Sequence, residues 1–364
     1  MGEPLKVGIV GVGAISGAYL STFERLDAVR LTAVADIDRS RAEAVAEERG
    51  VRALTVDELV ADPEVDLVLN LTVPAAHAEV ALKAIAGGKH VYGEKPLAAT
   101  PAEALAVVEA GREAGVRVGC APDTVLGTGV QTARKAVDDG LIGAPVAATA
   151  TMVTPGHERW HPNPDFYYRP GGGPLLDMGP YYVTALVTLL GPVASVVGAA
   201  SRTRSTRTIG SGPREGQSVP VDVDTHVTGV LRHESGVLST LVMSFDSVAT
   251  RAANIEVHGQ EGSLVVPDPN GFDGDVLLHP LGGEWSTLPP GAGYRGAARG
   301  YGVADLAAAE PGVPARANGE VAYHVLDVMT SLLEAADRGA VVEVDSTCER
   351  PAAVPLSDAP EPRE

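Results

Sequence analysis

Lys6-Val7-Gly8-Ile9-Val10-Gly11-Val12-Gly13-Ala14-Ile15-Ser16-Gly17 is the stretch whose reading decides the fold. Lys6–Val10 is a short β-rich run, and residues 14–26 have helical apolar spacing, so the glycines sit on a strand-to-helix turn. Gly11 and Gly13 fit the dinucleotide pattern G-x-G-x-x-G/A, with Ser16 at the position of the third glycine and Gly17 after it. The first glycine permits the tight turn, the second lets backbone approach a pyrophosphate, and the third position needs only a small residue, which Ser16 supplies. Ala14 and Ile15 then open a helix whose free N–H groups and positive dipole end suit phosphate.

Context strengthens this motif. The next strand, Leu31–Ala35, ends on Asp36, 25 residues after Gly11. A carboxylate there binds ribose hydroxyls and favours NAD, because it repels a 2′-phosphate. Arg39 and Arg41 follow closely and can accommodate that phosphate, which leaves NADP open.

Working outward, helix and strand alternate. Residues 40–49 form a helix stopped by Gly50, and 65–71 is an apolar strand of the kind buried in a parallel sheet. Residues 77–86 form a helix closed by Gly87-Gly88, and His90-Val91-Tyr92 starts the strand that delivers Glu94-Lys95. A helix over 101–114 and a strand over 116–120 follow. This is an α/β pattern: a doubly wound parallel Rossmann sheet over residues 1–122.

The pattern then changes. Strands over 145–154, 192–201, 224–232, 237–246 and 252–258 with few helices between them predict an α+β domain over 123–345 with a large, open, mainly antiparallel sheet. An amphipathic helix over 321–338 and a short strand over 341–344 close it. After Cys348 the chain turns rich in Pro, Ala and acid, so 346–364 is expected to be a disordered tail. Residues 178–201 contain no charge, but Gly191-Pro192 interrupts them, so a buried helix and a buried strand are expected rather than a membrane span. Arg202–Arg214 is locally basic and rich in Gly, Ser and Pro, which suggests a solvated loop at a subunit boundary.

Net charge is −19 from 28 basic and 47 acidic residues, which argues against nucleic acid as a partner. Two cysteines give no disulfide framework and the N-terminus has no apolar signal segment, so the cytoplasm is the expected compartment. Neither a metal-ligand spacing nor a Gly-x-Ser-x-Gly elbow appears. His157 and His161 have helical spacing, but Gly156, Pro162 and Pro164 argue against a helix there.

Together Gly11–Ser16, Asp36, Thr72–His77, Glu94-Lys95-Pro96-Leu97 and Gly171-Gly172-Gly173-Pro174-Leu175-Leu176-Asp177-Met178-Gly179 resemble the glucose-fructose oxidoreductase/inositol dehydrogenase/rhizopine catabolism (Gfo/Idh/MocA) family, over residues 5 to about 345. The resemblance implies that Lys95 sits beside the nicotinamide and the reacting carbon. An ammonium there can polarise the substrate oxygen and stabilise a developing alkoxide. Thr72, Pro74, His77 and Glu94 belong by the same resemblance to the cofactor side, His77 as a brace for its loop. Where the family reads Asp-x-Gly-x-His, this chain reads Asp177-Met178-Gly179-Pro180-Tyr181, so Tyr181 replaces the usual acid/base histidine.

A free tyrosine titrates near ~10 and is a poor base at neutral pH, though a neighbouring ammonium would lower that value. Tyr181 is thus read as proton carrier or as a packing aromatic. Asp177 is read as a holder of substrate hydroxyls or of Lys95, or as a helix N-cap. Asp123 is a candidate substrate contact or a structural residue.

Trp160, Phe166, Tyr167, Tyr168, Tyr181 and Tyr182 fall between 159 and 182 in a chain with few aromatics. Aromatic faces stack on sugar rings, so residues 155–173 read as a substrate-covering loop, an aromatic mini-core or a subunit contact, with His157, Trp160 and His161 as candidate contacts. The leading expectation is an NAD(P)-dependent dehydrogenase or ketoreductase for a sugar, cyclitol or sugar derivative. A glycosidase using transient NAD redox and a non-catalytic sensor are the alternatives. The resemblance further implies a homodimer or homotetramer.

Overall fold

A computed structural model describes residues 3–310 and 312–360. The chain divides into two compact units. The first holds the described residues of Met1–Thr128, Ala292–Tyr323 and Pro351–Glu364; the second is Gly129–Gly291 with His324–Arg350. This differs from the contiguous division at 122/123: segments far along the chain return to the first unit.

The first unit is built on six strands: β1 (Leu5–Val10), β2 (Val29–Ala35), β3 (Arg52–Ala53), β4 (Leu67–Asn70), β5 (His90–Gly93) and β6 (Val118–Cys120). All pairings are parallel, in the order β3-β2-β1-β4-β5-β6. That order reverses between β1 and β4, where a doubly wound sheet opens its ligand crevice. The helices that cover the sheet are α1 (Ser16–Phe23), α2 (Arg39–Arg49), α3 (Val56–Ala61), α4 (Pro74–Ala86) and α5 (Pro101–Ala114). Thr55 and Thr100 start α3 and α5 with reciprocal capping boxes to Glu58 and Glu103, and Gly50 and Gly115 end α2 and α5 at positive φ. Core residues Val7, Ile9, Leu67 and Leu69 are wholly buried, as strands covered on both faces require.

After α6 (Thr128–Asp138) the second unit is a nine-stranded sheet. It contains β7 (Pro145–Val153), β8 (Val193–Ser201), β11 (His226–His233), β12 (Leu238–Ser244), β13 (Ile255–Gly259), β14 (Gly262–Val266), β15 (Val276–Pro280), β16 (Ser286–Leu288) and β17 (Val342–Glu343). Two short strands, β9 (Thr206–Thr208) and β10 (Ser218–Pro220), pair separately. The order is β16-β15-β14-β13-β7-β12-β11-β8-β17, antiparallel except for β7 with β12. Helix α7 (Gly173–Leu190) packs on one face, against β7, β11 and β12. The uncharged stretch is thus the buried body of α7 followed by β8; among the described residues no helix is long and apolar enough to cross a membrane.

The opposite face reads differently. Register places Val197, Val230, Thr240 and Thr149 in one row, and Ala199, Thr228, Val242 and Thr151 in the next. Eight positions across four strands carry no charge.

Two expectations need correction. The tail does not remain unstructured through residue 360: Val354 is fully buried, and strand-like bonds run from Gly293 N to Val354 O (3.0 Å), Arg295 N to Ser357 O (2.8 Å) and Ser357 N to Gly293 O (3.2 Å). An apolar anchor and paired backbone outweigh the Pro- and Ala-rich composition. Residues 361–364 lie outside the described residues. The Arg202–Arg214 segment is not simply solvated either, since Arg207 is buried between Glu158 and Asp246. Helices α8 (Tyr301–Ala308) and α9 (Gly319–Arg338) complete the elements, with α8 unforeseen from the sequence.

Candidate active site

In the first unit the turn from β1 to α1 has the geometry a phosphate cradle needs. Gly11 has φ +94°, and a Cβ there would lie 2.8 Å from the Leu71 carbonyl carbon and oxygen and 2.9 Å from Thr72 N. Only glycine lets these two loops meet so closely. A Cβ on Gly13 would instead project into open space, filling the room a pyrophosphate requires. Ile15 caps α1 without a side-chain bond; in the first turn Ser16 N donates to Gly13 O (3.2 Å) and Ala18 N to Ile15 O (3.1 Å). Ser16 is buried and donates its hydroxyl to Gly13 O (2.7 Å), so it packs as the third glycine would while bracing the turn.

Asp36 closes the other side. Its Oδ2 accepts from Val12 N at 2.8 Å and its Oδ1 from Asp38 N at 2.8 Å, which fixes the carboxylate against the glycine turn. Arg39 pairs with Glu43 (2.9 Å) and Arg41 with Asp38 (3.2 Å), so neither is reserved for a 2′-phosphate. Gly11, Gly13, Ala14, Ile15, Asp36 and Thr72 line one cleft, with the exposed apolar side chains of Ile37 and Val73 at its sides. These two apolar walls escaped the sequence reading; the signal was an isoleucine directly after the ribose carboxylate. The residues present fit a dinucleotide, with phosphates at the Gly11–Ser16 turn and ribose hydroxyls at Asp36.

The strands β4 and β5 carry the remaining cofactor-side residues. Asn70, at the end of β4, accepts from Thr72 Oγ1 (2.6 Å) and donates to His77 O (3.0 Å). Pro74 starts α4 at a position where its missing N–H costs nothing. His77 is buried, with Nδ1 2.6 Å from Pro96 O and Nε2 3.0 Å from Thr72 O. It is a brace joining the Thr72 loop to the Glu94-Lys95-Pro96 turn. Glu94 accepts from the buried Tyr19 hydroxyl (2.9 Å) and from Lys95 N (3.1 Å). Burial is the main cause, with Glu94 next, that pushes the Tyr19 phenol well up, so it stays a neutral donor. Lys95 is half-buried, and the Lys95–Pro96 peptide bond is cis. Asn70 and Tyr19 were not anticipated; a polar residue ending an apolar strand was the signal for Asn70.

Of the two readings of Asp123, substrate contact or structural residue, its surroundings favour the second. It is fully buried inside the first unit, where Oδ2 accepts from Gly300 N (2.8 Å) and Gly302 N (3.1 Å) at the start of α8. Burial chiefly raises its carboxyl to about 6, against the pull of those bonds and of Arg299. It is a structural tie.

In the second unit Asp177 and Tyr181 lie one turn apart on α7. Asp177 is the fifth residue of that helix, which excludes the N-cap reading. Gly179 lets the Met329 sulfur approach to 2.7 Å of where a Cβ would stand, so α7 packs tightly against α9. His157 brings its Nε2 to 3.3 Å from Asp177 Oδ2. Its ring packs among Phe245 (4.4 Å between centroids), Tyr167 (4.7 Å) and Trp160 (5.3 Å). Trp160 is 59% exposed and Phe166 56%, so this aromatic cluster presents two open faces. A helical turn does form here, because His161 N bonds His157 O at 2.9 Å despite the flanking Gly and Pro residues.

A buried ionic cluster holds the loop. Arg207 donates to Glu158 Oε1 (3.2 Å), Pro155 O (3.2 Å) and Phe245 O (3.1 Å), and pairs with Asp246. Tyr168 donates its hydroxyl to Glu158, while Arg214 pairs with Asp165. Sequence alone gave no signal that Glu158 and Arg207 would meet.

The glycine-turn cleft of the first unit, closed by Asp36, is that of a dinucleotide-binding protein. Residues 5–121 match the oxidoreductase family described as an NAD-binding Rossmann fold, and residues 130–265 match the GFO/IDH/MocA C-terminal domain. The chain is 33% identical over 267 residues to 1,5-anhydro-D-fructose reductase of Ensifer adhaerens, covering 71% of this chain and 74% of that protein. It is 28% identical to myo-inositol 2-dehydrogenase of Thermotoga maritima with the same coverages, 71% and 74%. Among solved structures, an NAD binding oxidoreductase from Klebsiella pneumoniae superposes with a TM-score of 0.82 at 25% identity, covering 94% of this chain and 99% of that one. The protein belongs to the GFO/IDH/MocA family of oxidoreductases.

Proposed function

We propose that this enzyme interconverts a secondary alcohol and a ketone on a sugar, cyclitol or anhydrosugar, with NAD as its preferred cofactor. The observation that carries this reading is the Asp36 carboxylate, locked onto Val12 N at 2.8 Å beside a glycine turn shaped for phosphate. When bound, the nicotinamide supplies the site that gives or takes hydride. Every other task falls to the chain's own residues. Lys95 polarises the reacting oxygen and stabilises negative charge on it as the carbonyl forms or collapses. Asp177 and Tyr181 hold substrate hydroxyls, and Trp160 offers an aromatic face to the apolar side of a pyranose or cyclitol ring.

The names of the relatives support the substrate class, one being an anhydrosugar reductase and one a cyclitol dehydrogenase. The uncharged face of the nine-stranded sheet supports a homodimer or homotetramer, and the acidic, cysteine-poor composition supports work in the cytoplasm. Nothing in the geometry favours the redox-assisted glycosidase or the sensor over net oxidation or reduction. The test is a panel of cyclitols, aldoses and anhydrosugars with NAD and NADP, and the corresponding ketones with NADH and NADPH, followed by cofactor absorbance. Net cofactor turnover with at least one member is expected. Tight cofactor binding with no turnover on any member would favour the sensor.

A further inference from the structure

The family pattern places a histidine one turn after the aspartate on α7, and this chain has Tyr181 there. The structure nevertheless sets an imidazole on Asp177, brought from a different element. His157 Nε2 stands 3.3 Å from Asp177 Oδ2. We infer that His157 is the positioning partner of Asp177, and that Asp177, rather than Tyr181, exchanges the substrate proton. The inference rests on the oxidoreductase reading above and deepens it.

Three observations converge on the pair. The first is the tautomer. Nδ1 of His157 is buried and has no hydrogen-bond partner among the described residues, whereas Nε2 faces a carboxylate. A neutral ring with one proton keeps it where an acceptor stands, which assigns the proton to Nε2, the nitrogen 3.3 Å from Asp177 Oδ2. The second is accessibility. The Asp177 side chain is 19% exposed and that of His157 12%, while Tyr181 is only 5% exposed. The carboxylate is therefore the member of this set best able to meet a substrate hydroxyl.

The third is rigidity. Next to His157, Glu158 is tied by Arg207 and Tyr168, and the imidazole itself is wedged between Phe245, Tyr167 and Trp160. A group held by packing on every side orients its partner without loss of side-chain entropy at the moment of reaction.

The chemistry balances. In the oxidative direction the substrate O–H bond breaks and its proton passes to Asp177. The C–H bonding pair would leave as hydride, for which a bound oxidised nicotinamide would be the acceptor, and a carbonyl would form between the same two atoms. His157 keeps its own Nε2 proton throughout and orients Asp177. The titratable or charged groups around this pair include Tyr167 beside both, Tyr181 on the aspartate's own helix, His161 in the aromatic cluster, and Glu158 with Arg207 behind the loop.

The test has two arms. Nitrogen-15 NMR of the histidine rings, in full-length protein without substrate and assigned with His157→Gln, reads which nitrogen of His157 carries the proton at neutral pH. Protonated Nε2 is expected; an unprotonated Nε2 overturns the pairing. In parallel, kcat and KM are measured for His157→Leu and His157→Gln, with 1,5-anhydro-D-fructose and NADH and with myo-inositol and NAD. Leucine is expected to lower kcat by about 10²-fold with little change in KM, and glutamine, whose amide N–H can still donate to Asp177, to recover most of it. A leucine variant as active as wild type overturns the inference. So does a glutamine variant that folds, binds NADH and is as inactive as the leucine one, because His157 would then carry the proton itself. Failure of wild type on both substrates counts against the functional reading for them, and the NMR arm still decides the pair.

Discussion

Nδ1 of His77 lies 2.6 Å from the carbonyl oxygen of Pro96, nineteen residues along the chain. Through this contact, and its other one to Thr72 O, a single buried ring joins the loop after β4 to the turn that carries Lys95. His77→Ala would leave the carbonyl that the ring N–H serves without its donor, at a cost of about 1–3 kcal/mol if it stays dry. The expected outcome is a lower unfolding temperature together with roughly tenfold weaker NADH binding by fluorescence titration. Unaltered NADH affinity would mean that the brace does not shape the cofactor loop.

Asp36 braces the glycine turn through Val12 N, and on the proposed function it also reads the cofactor's ribose. Asp36→Ser should weaken NADH binding by about tenfold, as lost charge-assisted hydrogen bonds are worth roughly 1.5–3 kcal/mol. NADPH binding should change far less, so the preference ratio narrows. The partners of Arg39 and Arg41 limit how far it can invert. Equal losses for both cofactors would show that the carboxylate supports the turn without reading the ribose.

The two units respond to acid in opposite senses. In the second, burial lowers His324 to about 4, with Nε2 accepting from Val193 N (3.0 Å), and also lowers His233. An unfolded chain takes up these protons near ~6.5, so the stability they contribute is complete above that pH and is lost as pH falls from ~6.5 through about 4. Asp123 in the first unit is raised to about 6, so its burial penalty fades over the lower part of the same window. His324→Gln should therefore reduce the stability lost between pH 7 and pH 5, by up to ~2 kcal/mol in urea unfolding. A variant that loses as much as wild type would remove His324 as a cause.

Val230 lies at the centre of the uncharged sheet face, opposite Val197 on one side and Thr240 on the other. A charge at this point would be buried unpaired if copies of the chain pack there. Val230→Glu should shift light-scattering mass from an oligomer to the single chain while leaving the fold intact by circular dichroism. An unchanged mass would place any association elsewhere.

Much of this architecture could be read ahead of the structure because it depends on local chemistry. The Gly11–Ser16 turn, Asp36 at the end of β2 and the glycine stops of α2 and α4 all follow from backbone conformation and periodicity. The pairing of His157 with Asp177, the burial of Arg207 and the tie from Asp123 to Gly300 did not follow. Each depends on which distant partner a polar side chain meets, between 20 and 177 residues away, and periodicity carries no such information. The segment after Cys348 misled for a related reason: composition describes what a chain does alone, while Val354 is ordered by what it packs into. The strands β14 to β16 were missed because they are short and interrupted by glycine and proline.

The most direct measurement compares wild type and Lys95→Ala for two quantities: NADH affinity by fluorescence, and turnover with the best substrate of the cyclitol and anhydrosugar panel. Lys95→Ala should bind NADH within about threefold of wild type yet turn over at least ~10³-fold more slowly, as expected when a charge that stabilises the transition state is lost. Turnover near the wild-type rate would contradict the assignment of Lys95 to the reacting centre, and with it the account of how this enzyme works.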